Sequence, residues 1–443
     1  MEFSYFGTDG IRGVFGQGAI TGDMAIRLGW AFGMYMRTLK PTPKVLVGYD
    51  GRHSGIELIQ GLCDGLQAAI VGVASGGVLA TPVLQHSIPG MGFDGGIMVT
   101  ASHNLVSDNG FKFFDASGLK ISLEAQSYIE ARLIEANSIC PQAQSLPQSI
   151  DLTGAYMLSI EHMIKPISLS GYRLVLDTAH GGASFTSPAI LKSTGAQVIC
   201  IGHQPNGSNI NDHIGSEHPS CLQQTVLAHQ AFGGIAQDGD GDRVLLVDEK
   251  GDIIPGEVIL GVLALDLRAK NALKDDVLVT TVQSNLGLDR MLEAVGVRTI
   301  RTPVGDRYVS RVLQQNHYAL GGESSGHILF CSSGYISDGL WSALQVLNFV
   351  HNNRLKLSDL RAYVPLFPQK SIHLPVNQKI PLSSIAPVQA CLASIEHQLN
   401  GQGRVLMRYS GTENKLRLLV EGPSQEAVDL YLHELSTVLK EHL

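Results

Sequence analysis

Three apolar, β-branched runs, residues 44–49, 172–176 and 276–282, are each bounded by turn residues and followed by a helix-like stretch. Such runs read as buried strands, and buried strands alternating with helices make mixed α/β units. Directly after them come Asp50-Gly51-Arg52-His53-Ser54-Gly55, Asp177-Thr178-Ala179-His180-Gly181-Gly182 and Gln283-Ser284-Asn285-Leu286-Gly287. Small and polar residues therefore sit past each strand's carboxyl end, where α/β proteins build ligand sites.

The spacing predicts three similar units of about a hundred residues each, and a chain of 443 residues is too long for one core. Candidate boundaries are the polar residues 141–149, the turn around Gly251 and the proline-containing segment 365–370. The expected division is 1–150, 151–251 and 252–366 as α/β domains, then a smaller C-terminal α+β domain, 367–443. In that last unit 405–408 and 416–420 read as strands around a loop, and 424–439 as an amphipathic helix.

Forty acidic against 32 basic residues leave a net charge of −8, with no long basic run. Phosphate backbones and anionic membrane surfaces demand clustered Lys and Arg, so neither nucleic acid nor membrane is an expected partner. The six cysteines, Cys63, Cys140, Cys200, Cys221, Cys331 and Cys391, are scattered without a C-x-x-C pair, the pattern of reduced structural thiols. Residues 1–10 lack the features of a signal peptide. The most apolar helix-like stretch, 258–267, is interrupted by Asp266 and falls far short of the roughly 20 residues a membrane span needs. A cytoplasmic address is the expectation.

The sharpest chemical signal is Asp238-Gly239-Asp240-Gly241-Asp242-Arg243. Alternating glycines let the chain turn tightly enough for three carboxylates to converge, as a hard divalent cation requires. Three carboxylates also leave coordination positions open for a phosphate oxygen, the mark of a catalytic metal. An EF-hand reading places Asp238, Asp240, Asp242 and Glu249 at suitable spacing. It fails because Arg243 stands where the loop needs Gly, and strand formers follow.

Thr100-Ala101-Ser102-His103-Asn104 follows the apolar run 96–99, so Ser102 sits at a strand-to-loop junction where it can carry a transferred group. Gly322-Glu323-Ser324-Ser325-Gly326 matches G-x-S-x-G, which opens a serine-hydrolase reading through Ser324. That elbow needs a following helix, whereas His327 leads into the strand-like 328–330. Glu323, Ser325 and His327 instead offer hydrogen-bonding and titratable groups suited to sugar hydroxyls and proton transfer. Last, Arg408-Tyr409-Ser410-Gly411-Thr412-Glu413, with Arg417 beyond, presents backbone N–H groups, hydroxyls and guanidinium groups to an anion. A non-catalytic binder of calcium or sugar phosphate stays open on these residues alone.

In this order the T-A-S-H-N, D-G-D-G-D-R, G-E-x-S-G-H and R-x-S-G-T-E segments resemble the hallmarks of the α-D-phosphohexomutase superfamily. Phe6-Gly7-Thr8-Asp9-Gly10-Ile11-Arg12-Gly13 and Asn109-Gly110-Phe111-Lys112-Phe113 extend the match across the chain. The FGTDGIRG start, Asn209-Ile210-Asn211 followed by Gly215-Ser216-Glu217-His218-Pro219, and Val304-Gly305-Asp306-Arg307-Tyr308-Val309 are most similar to bacterial members acting on glucosamine phosphates. Members acting on mannose or glucose phosphates are the alternative. The resemblance implies three related α/β domains and a C-terminal domain around a central cleft, interconverting glucosamine-6-phosphate and glucosamine-1-phosphate for amino-sugar synthesis. It also implies one magnesium ion per subunit, activating phosphorylation of Ser102, a sugar 1,6-bisphosphate intermediate and a candidate homodimer.

Carried over by position, Ser102 is the phosphoserine, and the metal binds it together with Asp238, Asp240 and Asp242. Arg243, Glu323 and Ser325 face the sugar. Arg408, Ser410, Gly411, Thr412 and Arg417 hold the non-reacting phosphate, while Arg12, Lys112 and His327 assist proton and phosphoryl movement. Three departures stand out: Leu105 replaces a usual Pro, which would leave the serine loop less restrained; Ser324 replaces Gln; and Asn414-Lys415 replaces a Pro-led pair.

Overall fold

The computed structural model describes residues 3–138, 147, 149–165, 167–331, 337–409 and 414–442. Each predicted run is a strand with a buried interior: β2 (Lys44–Tyr49), β6 (Arg173–Asp177) and β11 (Val277–Thr281). The first sheet adds β1 (Ile11–Val14), β3 (Gly72–Val78), β4 (Gly95–Val99) and β5 (Asp108–Asp115), in the order β1-β5-β4-β2-β3. The second adds β7 (Gln197–Ile201), β8 (Gly233–Gln237), β9 (Val244–Asp248) and β10 (Ile253–Ile254), ordered β10-β9-β8-β6-β7. The third adds β12 (Arg298–Thr302), β13 (Leu320–Gly322) and β14 (Ile328–Phe330), ordered β12-β11-β13-β14.

Each sheet has the same plan. The founding strand lies between two parallel neighbours, and a fourth strand closes antiparallel on the third. The expected repetition of α/β units is thus real at the level of strand order. Gly251 joins β9 to β10, so the second sheet runs past the expected boundary turn to Ile254.

The last sheet, β15 (Gln369–Pro375), β16 (Arg404–Tyr409) and β17 (Lys415–Glu421), is antiparallel with β17 in the middle. Its first strand, which sequence reading left out, starts inside the expected linker 365–370. Helices Ala386–Leu399 and Gln425–His442 pack with it around a separate core that includes Leu418, Val420, Leu432 and Leu435. By contrast, one continuous apolar cluster runs through the first three units, from Leu84 by way of Leu176 to Leu344. Polar groups tie the C-terminal unit to the third. Buried Glu421 accepts from Leu286 N–H at 2.9 Å and from Arg404, and Asn285 Nδ2 donates to Phe367 O at 2.9 Å. Among the described residues no helix is long and apolar enough to cross a membrane.

Candidate active site

The segments following β4, β8 and β13 converge where the three parallel strand groups end. β4 delivers the chain straight into Thr100 and Ser102, the latter fully buried with φ +54, a left-handed conformation costly for a residue with a Cβ. Its neighbours over-determine it. Ser102 N–H donates to Thr100 Oγ1 at 2.8 Å, and Ser102 O accepts from Arg52 Nη2 at 3.1 Å and from Asn211 Nδ2 at 2.8 Å.

Arg52, which sequence reading placed only in a turn, is the anchor of this loop. Completely buried and paired with Asp50 at 2.9 Å, it donates to the carbonyls of Ser102, Asn104, Leu105 and Asp108. Leu105 therefore does not leave the loop unrestrained as expected, because its carbonyl is held by a guanidinium. Replacing Arg52 with Met strands the buried Asp50 carboxylate and should cost about 3–5 kcal/mol. The urea midpoint measures it, and an unchanged midpoint would show that the loop is held by its own turns.

The glycines of the D-G-D-G-D-R loop act as read. Gly241 has φ +76, and a Cβ on Gly239 would lie 2.8 Å from Ser102 O. Asp238, Asp240 and Asp242 are buried, each offering an oxygen within 4.8 Å of the others. Ser102 Oγ donates to Asp238 Oδ2 at 2.5 Å, putting the hydroxyl at the edge of the cluster. Lys112, on β5, donates to Asp240 Oδ2 at 2.6 Å and to Asp242 Oδ2 at 2.7 Å, and Thr81 Oγ1 also donates to Asp240 Oδ2, at 2.5 Å. Asp240 Oδ1 and Asp242 Oδ1 are buried without a hydrogen-bond partner. Two orphaned carboxylate oxygens in an all-oxygen donor set fit a hard divalent cation.

The electrostatics follow from burial and company. Burial, then the charges of Asp240 and Asp242, hold the Asp238 carboxyl well above its usual range. Burial would also raise Asp242, but Lys112, His327 and Arg243 outweigh it and hold that carboxyl down at about 2. Burial opposes the Lys112 ammonium, yet Asp240, Asp242 and Asp9 keep it well above the ordinary lysine range. His103, absent from the expected set, has Nδ1 3.4 Å from Ser102 Oγ. Burial, Arg243 and Arg12 press its pKa down to about 3, so its ring is neutral and able to accept.

The remaining expected residues fall into place around this centre. Arg243 and His327 form a backbone bridge joining the aspartate loop to the β13–β14 hairpin, with Val244 N–H donating to Gly326 O at 3.1 Å. Arg243 reaches Glu217 at 3.5 Å, and Arg12 pairs with Asp9. Glu323 Oε1 accepts from Gly305 N–H at 2.9 Å, and burial with the nearby Asp306 charge raises its pKa. Ser325 is exposed at the hairpin tip. Because this G-x-S-x-G closes a hairpin onto β14 with no helix after it, Ser324 lacks the elbow a hydrolase requires. The aspartate loop likewise enters β9 and not a helix.

On the C-terminal sheet Arg408 stands directly opposite Arg417, and Arg408 Nη2 donates to Gln283 Oε1 at 3.2 Å. Burial and Arg417 lower the Arg408 pKa. Ser410, Gly411 and Thr412 lie outside the described residues.

Four domain families match along the chain: phosphoglucomutase/phosphomannomutase alpha/beta/alpha domain I over residues 4–139, domain II over 155–251, domain III over 255–367 and the C-terminal domain over 372–438. A phosphoglucosamine mutase from Methylobacillus flagellatus is 40% identical over 450 residues, covering 100% of this chain and 99% of the relative. The chain belongs to the phosphoglucosamine mutase family. Among solved structures, a phosphoglucomutase/phosphomannomutase family protein from Burkholderia thailandensis superposes with a TM-score of 0.82 at 24% identity, covering 98% of this chain and 97% of that one. An Aspergillus fumigatus N-acetylphosphoglucosamine mutase, solved with GlcNAc-6P and magnesium, gives 0.67 at 15% identity, covering 99% and 96%. Both share the fold expected from the strand pattern.

Proposed function

We propose that the protein interconverts glucosamine-6-phosphate and glucosamine-1-phosphate by a phosphoryl relay through Ser102. The observation that carries this reading is the Ser102 Oγ to Asp238 Oδ2 hydrogen bond, 2.5 Å long, beside two orphaned carboxylate oxygens. It puts a nucleophilic hydroxyl where a bound cation and a phosphate oxygen would meet.

In the active form Ser102 carries a phosphoryl group. A free sugar hydroxyl attacks the phosphorus, the bond to Ser102 Oγ breaks, and the hydroxyl proton leaves to a nearby base. The resulting bisphosphate turns over and returns its other phosphoryl group to Ser102. Asp238, Asp240 and Asp242 would hold a magnesium ion, which supplies neutralisation of the charge on the transferring group. Lys112 and Arg12 orient that group's oxygens, Arg243, Glu323 and Ser325 face the sugar, and His327 sits beside Asp242 to hold or release a proton. Arg408, Arg417 and Ser410-Gly411-Thr412 clamp the phosphate that is not reacting. The amino sugar is favoured by the full-length likeness to the Methylobacillus relative. A cytoplasmic location suits a phosphosugar substrate.

Incubation with a sugar 1,6-bisphosphate should add one phosphoryl group to the intact mass. The charged enzyme should then turn over glucosamine-6-phosphate with kcat/KM at least about tenfold above glucose or mannose phosphates. No mass gain sinks the relay, and equal turnover of the three sugars sinks the substrate assignment.

A further inference from the structure

Six buried charges of alternating sign close a ring beside the reacting serine. Asp242 Oδ2 lies 2.7 Å from Lys112 Nζ, and Lys112 Nζ lies 3.6 Å from Asp9 Oδ2. Asp9 pairs with Lys120, and Lys120 with Asp306. Asp306 Oδ2 lies 3.4 Å from His327 Nε2, and His327 Nδ1 returns to Asp242 Oδ1 at 3.7 Å. No side chain in the ring is more than 20% exposed. Asp9, Lys112 and Lys120 come from the first unit, Asp242 from the second, and Asp306 and His327 from the third.

Half of this ring belongs to the machinery described above; Lys120 and Asp306 do not. Asp306 opens the helix Asp306–Asn316, immediately after Gly305, whose N–H holds Glu323. It is therefore fixed between the sugar-facing hairpin and the imidazole of His327. Lys120 crosses from the first unit to reach it and also neutralises Asp9, which faces Lys112. We infer that Lys120 and Asp306 are positioning residues for phosphoryl transfer, clasping the first and third units so that Lys112 and His327 meet the aspartate cluster in register.

The physical reason is competition. Without the Lys120 charge, Asp9 and Asp306 repel each other, and Asp9 draws Lys112 off Asp240 and Asp242. Without the Asp306 charge, His327 loses its partner on one ring nitrogen, and Lys120 keeps only Asp9. Both changes misplace groups at the reacting end and leave the Arg408 clamp untouched. The inference rests on the relay reading of Ser102, so Ser102→Ala is run beside it.

In the full chain with magnesium and sugar bisphosphate, Asp306→Asn and Lys120→Met should each lower kcat about 10–100-fold, with KM for glucosamine-6-phosphate changed less than about 3-fold. Lys120→Arg keeps the charge and should stay within about 5-fold of the parent. The double variant Lys120→Met/Asp306→Asn should lose no more than about the worse single, because the two act as one unit. Merely structural glue would lower the melting midpoint while the folded fraction kept its kcat. That outcome overturns the inference, as do a loss confined to KM or single effects that multiply. Should Asp306→Asn not fold, the Lys120→Met and Lys120→Arg comparison decides alone. Active Ser102→Ala means the relay itself is wrong; inactive Ser102→Ala with fully active Asp306→Asn removes only the clasp.

Discussion

Ser102→Ala should abolish mutase turnover, by about 10⁴-fold or more in kcat, while the protein stays folded and still binds sugar phosphate. The size follows from the relay: with no oxygen to accept the phosphoryl group, the bisphosphate cannot form from a monophosphate, and no neighbouring group can substitute. His103 Nδ1 is the nearest candidate, and its ring faces Ser102 from the next residue along the same loop. The fold survives because only one hydrogen bond from Oγ, to Asp238, is lost, while Arg52, Thr100 and Asn211 hold the loop through its backbone. The checks are steady-state turnover, intact mass after incubation with bisphosphate, and calorimetric binding of glucosamine-6-phosphate. A serine-free enzyme that still turned over, or one that no longer bound sugar phosphate, would falsify the relay.

What the sequence disclosed, and what it hid, divides along physical lines. The buried strands showed because burial on both faces leaves an uninterrupted β-branched run. The aspartate loop showed because three carboxylates alternating with glycine have few other uses. Both signals are local. Arg52 was legible only as part of a turn, since nothing nearby in sequence says that a guanidinium will fold under a loop 50 residues away. Lys120 and Asp306 are 186 residues apart and left no pattern of their own. Their pairing exists only once the first and third sheets pack together. The role of Asn211 was half legible: the Asn209-Ile210-Asn211 segment pointed to the family, but its amide's hold on the carbonyls of Ser102 and Asn104 emerged only from the structure. Strand β15 was missed for another reason. Its residues are mostly exposed, so no apolar run marks it beside the prolines of the preceding segment.

Two substitutions in the aspartate cluster should move cation affinity in opposite directions. Asp240→Asn removes one of three carboxylates, and at an effective dielectric near 20 the lost attraction is about 3–4 kcal/mol. The magnesium concentration for half-maximal activity should then rise about 100-fold or more. Lys112→Met removes the ammonium that lies 2.6 Å from Asp240 and 2.7 Å from Asp242. That ammonium neutralises the cluster when no cation is bound and repels one that arrives, so its loss should tighten magnesium binding about tenfold or more. The same substitution leaves buried carboxylates uncompensated in the metal-free protein, which should lose about 3–5 kcal/mol of stability and regain much of it in excess magnesium. Turnover should nevertheless fall in both variants, because Lys112 also faces the transferring phosphoryl group. Calorimetric titration with magnesium and unfolding with and without it separate these effects. Weaker magnesium binding by Lys112→Met would mean that Lys112 organises the cluster for the cation and does not stand in for it.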